Sequence, residues 1–242
     1  MAISGCVPAG RYPAEDVPHW DYDAEGPGHW ADLDRAYLVC QAGREQSPID
    51  LSAQARLAPG GDIGIEYGPV SAVELVNTGH TIQGSPVSGD HRLAIGNQSF
   101  RLAQFHFHLP GEHTVDGVGS VMELHLVHKS ETGAAAVLGI LLQQGAGASV
   151  FDPVLADIPG RPGAKVTTGP IDLRAFVPAD TSHFRYQGSL TTPPCSEGVA
   201  WTVLRAPVAV SAAVVDRYRA VFPHSNRPVQ PLNGRTVIVS NR

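Results

Sequence analysis

Apolar and polar residues alternate in short runs along this chain, at positions 63–67, 72–76, 98–108, 121–128, 184–190, 199–204 and 235–239. A period of two places successive side chains on opposite faces, so each run reads as a strand with one face against a core. The run 134–142 is different, being apolar almost throughout. It is far too short to cross a bilayer and reads as a central strand buried on both faces. Gly, Pro and Asn separate the runs, so the pattern predicts a mainly β protein. Helical spacing is predicted in two places. One helix is short, at 150–158. The other runs over 211–222, with Ser211 as N-cap and Val214, Val215, Tyr218, Val221 and Phe222 on one stripe. Both read as packing helices.

Composition narrows the picture only slightly. With 242 residues, 43% apolar and 17% charged, the chain suits one large domain with ample core material. No linker composition, internal repeat or charge run divides it, so the expected organisation is a tail over 1–17 and one domain over 18–242. A net charge of −6 without a Lys/Arg cluster argues against a nucleic-acid surface. No transmembrane segment is expected, since the longest apolar run, 134–142, is too short to span a bilayer. Three cysteines, Cys6, Cys40 and Cys195, lack any C-x-x-C spacing. That leaves two readings open, a disulfide with one odd thiol or unrelated buried thiols. Ile3-Ser4-Gly5-Cys6 resembles a bacterial lipobox, which makes a lipid anchor through Cys6 an expectation.

The chemistry concentrates in the runs 98–108 and 121–128. Gln104, His106 and His108 share one face of the first predicted strand, and Glu123, His125 and Val127 share one face of the second. If the two strands pair, three imidazoles converge. Three neutral imidazoles at one point are the ligand set of a catalytic zinc that keeps a position open for water. Gln104 and Glu123 each stand two residues before a ligand, where a group accepting the imidazole's other N–H fixes its tautomer. Glu123 sits between Met122 and Leu124, and a carboxylate in so apolar a strand calls for a partner. His106, His108, Glu112 and Gly119 also fit the first metal motif of cupins. A cupin, however, requires glycine where this chain has Phe100, and its second motif is absent.

Gln104-Phe105-His106-Phe107-His108, Glu112-His113-Thr114-Val115-Asp116-Gly117 and Glu123-Leu124-His125-Leu126-Val127-His128 together resemble the zinc region of α-class carbonic anhydrases, bacterial branch. Leu190-Thr191-Thr192-Pro193-Pro194-Cys195 resembles that family's threonine-gatekeeper segment. His19-Trp20, Gln46-Ser47-Pro48-Ile49-Asp50, Asn77-Thr78-Gly79-His80 and Arg227-Pro228 follow the family's order, so the resemblance covers nearly the whole chain.

The resemblance implies a large twisted, mostly antiparallel sheet with a few short peripheral helices and a zinc at the foot of a cleft. It implies reversible hydration of CO2 to bicarbonate by zinc-bound hydroxide, with Zn2+ as cofactor, His106, His108 and His125 as its ligands, and a side esterase activity. Thr191 and Glu112 would orient the nucleophile, and Thr192 would contact bicarbonate. Val127, Val137, Leu190, Val199 and Trp201 would hold CO2. His80 would export the proton along waters ordered by Tyr22, Thr78 and Gln83. His113 and His128 read as buried structural histidines, and His91, His183 and His224 receive no role. Ser225 stands where the family usually has Asn, and Leu109-Pro110 differs from its commoner versions. The resemblance further implies a Cys40–Cys195 disulfide, a periplasmic or secreted location, and a homodimer, which is common in this branch.

Overall fold

The computed structural model describes residues 18–52, 55–57 and 62–240. The expected tail over 1–17 and Cys6 lie outside the described residues. A twelve-stranded sheet dominates. Its strands are β1 (Arg56–Leu57), β2 (Ile63–Glu66), β3 (Val73–Asn77), β4 (Ile82–Pro86), β5 (Arg92–Ile95), β6 (Gln98–His108), β7 (Met122–Lys129), β8 (Ala135–Gly145), β9 (Lys165–Thr168), β10 (His183–Ser189), β11 (Glu197–Ser211) and β12 (Ile238–Ser240). In space they run β9-β3-β4-β6-β7-β8-β11-β10-β12-β1, with β5 also on β6 and β2 on β5. Every pairing is antiparallel except β8 with β11 and β12 with β1. The sheet is therefore mixed, with antiparallel pairs prevailing. Helices are short: α1 (Trp30–Leu33), α2 (Val39–Ala42) and α3 (Ala212–Arg219).

The central strands are covered on both faces. Phe105, Phe107, Leu124, Leu126, Leu138 and Ile140 pack on one side beneath Val214, Val215 and Tyr218 of α3. Val137, Trp201 and Val203 pack on the other with Tyr186, Ile49 and Leu51. That explains the unbroken apolar run in β8, whose residues Ala136 to Leu142 are all buried. A smaller cluster joins Trp30, Tyr37, Cys40 and Cys195. Within it Cys40 and Cys195, 155 residues apart, form a disulfide. This bond ties α2 to the turn after Thr192.

Two helix expectations need correction. Positions 150–158 form a series of turns, not a helix. The Phe151 carbonyl accepts from both Val154 and Leu155, at 3.1 and 2.9 Å, but Pro159-Gly160 follow and the turn does not propagate. Phe151, Val154 and Leu155 are buried nonetheless, so apolar spacing reported contact with the core and not helicity. The second helix starts where expected, Ser211 Oγ accepting from Val214 N at 3.2 Å. It ends at Arg219, three residues before Phe222, and Pro223 bars its continuation.

His128 on β7 faces the α3 side, where its ring stacks on Tyr67 and its Nε2 lies 2.6 Å from the Tyr67 hydroxyl. Burial pushes its pKa down to about 4. A folded pKa below the unfolded value of about 6.5 means the unfolded chain binds the extra proton first. Stability from this group is present above pH ~6.5 and fades as pH falls toward 4, by up to about 3 kcal/mol. We expect His128→Gln to flatten the acid limb of a stability-against-pH curve from urea titrations. An unchanged slope between pH 6.5 and 4.5 would refute the assignment.

Candidate metal centre

The strands β6 and β7 pair antiparallel with His125 directly opposite His106 and Glu123 opposite His108. Alternation sends Phe105, Phe107, Leu124 and Leu126 into the core below and the three imidazoles to the opposite face. One nitrogen from each of His106, His108 and His125 lies within 4.8 Å of the others.

Hydrogen bonding decides which nitrogen each ring presents. His106 Nδ1 donates to Gln104 Oε1 at 2.9 Å, and His108 Nδ1 donates to the Ser225 carbonyl at 2.5 Å. Both therefore turn Nε2 toward the common point. His125 is reversed: its Nε2 donates to Glu123 Oε1 at 2.8 Å, leaving Nδ1 for the site. Burial lowers the pKa of all three, so they are neutral donors. His108 Nε2 is buried with no hydrogen-bond partner. A polar atom is not left bare in a core without cost, and a metal ion at the common point would give this one a partner. The donor set fits Zn2+, which takes neutral imidazole nitrogens in a tetrahedral arrangement.

Behind the ligands stands a buried relay. Glu123 Oε2 accepts from the backbone N–H of Glu112 and His113, both at 2.8 Å. Its Oε1 accepts from His113 Nδ1 at 2.7 Å as well as from His125. Burial alone would raise the Glu123 pKa, yet His113 and His125 hold it well below the usual carboxylate range. His113 Nε2 accepts from the Tyr186 hydroxyl at 2.7 Å, and that hydroxyl reaches Ser47 Oγ at 2.8 Å. His113, Glu123 and His125 also bring three donor atoms close together, but those atoms are already paired with one another. They back the cage and do not form a second one. Gly139 on β8 lies opposite His125, and a methyl group there would stand 3.3 Å from Glu123 Oε1. Glycine leaves the carboxylate its room.

Glu112 is buried beside the ligands. Its Oε1 accepts from the Arg227 backbone N–H at 2.8 Å and stands 3.4 Å from His108 Nδ1. Burial raises its pKa to about 7, against the lowering effects of His125, the Arg227 N–H and the Thr191 hydroxyl. Oε2 has no partner within hydrogen-bonding geometry, so a donor is wanted on that side. The Arg227 guanidinium is itself buried. It donates to Gln46 Oε1 and the Ser47 carbonyl, both at 2.8 Å, and to the Cys40 carbonyl, and lies over the Trp30 ring. One side chain thereby fastens the disulfide-bonded α2 and the 46–48 segment beside the Glu112 anchor.

The remaining residues singled out from sequence fall as follows. Trp201 lies 4.9 Å from the His125 ring, ring centre to ring centre. It shares a buried apolar cluster with Val137 and Val199, against which Val127 and Leu190 pack. Thr191 is buried and Thr192 half-buried in the adjoining turn. Gln83 on β4 is opposite His106 in register. His80 stacks on Trp20 at 3.6 Å, and Tyr22 packs edge-on to the same indole. Thr78 Oγ1 accepts from the His80 and Thr81 amides at 3.3 and 3.2 Å, so it shapes the turn that carries His80.

A sequence profile of the eukaryotic-type carbonic anhydrases matches residues 25–241. A carbonic anhydrase from Klebsiella pneumoniae is 43% identical over 229 residues, covering 91% of this chain and 90% of that protein. One from Nostoc sp. is 42% identical over 248 residues, covering 98% and 91%. Among solved structures, an α-carbonic anhydrase from Thermovibrio ammonificans superposes with a TM-score of 0.87 at 40% identity, covering 92% of this chain and 99% of that one.

Proposed function

The chain belongs to the eukaryotic-type, α-class carbonic anhydrase family, and from that membership we propose that it hydrates CO2 to bicarbonate and a proton with a zinc ion held by His106, His108 and His125. The observation that carries the metal is the convergence of three neutral imidazole nitrogens, one of them buried without a partner. Zinc bound there would supply a water acidified to a pKa of about 7, a value for which carbonic anhydrase is itself the standard example.

The chain's own groups account for the rest. Glu112, fixed by the Arg227 N–H, is placed to accept from the Thr191 hydroxyl. A Thr191 oxygen whose proton is committed to Glu112 can only accept from the reacting water, and so turns that water's lone pair toward the substrate. Val127, Val137, Leu190, Val199 and Trp201 offer CO2 an apolar surface beside His125. Thr192, next along the turn, is assigned to the bicarbonate oxygens. One proton must leave per turnover, and His80 is the imidazole assigned to take it. The same centre would hydrolyse activated esters as a side reaction. The Cys40–Cys195 disulfide supports an oxidising compartment, periplasmic or extracellular. No helix among the described residues is long and apolar enough to cross a membrane.

Metal analysis with stopped-flow CO2 hydration tests this reading. It requires one zinc per chain and rapid hydration that a chelator abolishes; a metal-free chain with undiminished activity would overturn it. Thr191→Ala is expected to keep its zinc and lose about a hundredfold in kcat/KM, the scale for one oriented hydrogen bond to a reacting centre. Retention of full activity would remove Thr191 from the orienting role.

A further inference from the structure

Resting on the hydration reading, a second imidazole at the end of the proton path emerges from the surface near His80. A cavity of about 140 Å³ opens there, lined among others by Asp21, Tyr22, Asp23, His80, Phe222 and His224. At roughly 30 Å³ per water it has room for about four. Among the described residues, neither ring nitrogen of His80 has a hydrogen-bond partner, and the same holds for His224. His19, the other imidazole nearby, is not free: its Nδ1 is bonded to Glu25 Oε2 at 2.7 Å. Two uncommitted imidazoles thus face one small, water-sized cavity.

Position favours His224 as an acceptor. Its neighbour Ser225 is pinned to Leu109, Ser225 N donating to the Leu109 carbonyl at 2.8 Å and Ser225 Oγ accepting from Leu109 N at 3.0 Å. The turn carrying His224 is therefore held, while its side chain is exposed to bulk buffer. Asp21 and Asp23 supply negative charge on the cavity wall, which Tyr22 also lines. No lysine or arginine lines the cavity. Histidine is the side chain that changes charge near neutral pH, which is what a relay between site and buffer needs.

We propose that His224 is a relay residue that takes the exported proton from His80 and hands it to buffer. The proton passes from the His80 imidazolium through cavity water to the neutral His224 ring; His80 returns to its neutral form, and His224 releases the same proton to a buffer base.

The zinc-loaded enzyme tests this directly. In weak buffer, His224→Gln should lower kcat by about threefold or more while kcat/KM stays unchanged, because proton export follows the CO2 step. Added imidazole should restore kcat. In a His80→Ala background, His224→Gln should cause no further loss, since the two act in series. A second readout needs no turnover: the NMR titration midpoint of the His224 ring should move when His80 is replaced by alanine, the two rings sharing one cavity. Unchanged kcat in weak buffer, an equal fractional loss in both backgrounds, or an unmoved midpoint would each overturn the relay. A loss that persists in strong imidazole and extends to kcat/KM would mark a merely structural residue and also overturn it. Failure of the hydration reading looks different, since the wild-type chain would then lack zinc or turnover.

Discussion

Replacing His106 with alanine is expected to remove tight zinc binding and, with it, CO2 hydration. The cage offers three nitrogens within 4.8 Å of one another, and His106 supplies the one whose orientation depends on Gln104 alone. Disturbing an outer partner of a metal ligand typically costs about 10–100-fold in affinity, so deleting the ligand itself should cost more. Folding should survive. His106 is half-buried at the mouth of the site, and the strand around it is anchored by Phe105 and Phe107 in the core on the other face. A melting temperature near that of metal-free wild-type protein, a zinc content near zero after dialysis and hydration at the level of metal-free enzyme form the expected triad. Wild-type zinc content with undiminished hydration would sink the assignment and point to a different donor set.

Much of this site was legible in the sequence because a strand's period of two is rigid. Once 98–108 and 121–128 are read as strands, the common face of Gln104, His106 and His108, and of Glu123 and His125, follows from covalent geometry. The pairing that brings those faces together is long-range, and local spacing alone also admitted the cupin motif. Phe100 in place of the motif's glycine and the missing second motif set the cupin aside, and segments far along the chain around Thr191, Cys195 and Arg227 added to the family resemblance. What stayed hidden depends on burial. Arg227 could be recognised as part of a family segment, but no pattern shows that its guanidinium is enclosed by the carbonyls of Cys40 and Ser47. His113 could be read as buried, but its bonds to Glu123 and Tyr186 join segments 73 residues apart. The missing helix at 150–158 is the converse case, a helical spacing of apolar residues satisfied by successive turns. Strands β4, β5 and β9 escaped because they are short and interleave their few apolar residues with Gln, Ser, Arg, Lys and Thr.

Glu123 is where stability and metal binding meet, and two substitutions there should separate them. Glu123→Ala removes the acceptor for four buried donors, the backbone N–H of Glu112 and His113 and the ring N–H of His113 and His125. Breaking such a buried set costs about 3–5 kcal/mol, which for a chain of this size lowers the melting temperature by roughly 10 °C. Zinc affinity should fall by at least about 10–100-fold in the same variant. Glu123→Gln keeps the volume and one acceptor oxygen. If that oxygen serves the two backbone N–H groups, the amide NH2 is set against the rings. His125 must then accept at Nε2, which moves its proton to Nδ1, the nitrogen that faces the metal. The glutamine variant should accordingly retain more stability than alanine while losing comparable zinc affinity. Chelator competition and urea titrations on both proteins read the two quantities separately. Wild-type zinc affinity in Glu123→Gln would show that the His125 tautomer is set by something other than this carboxylate.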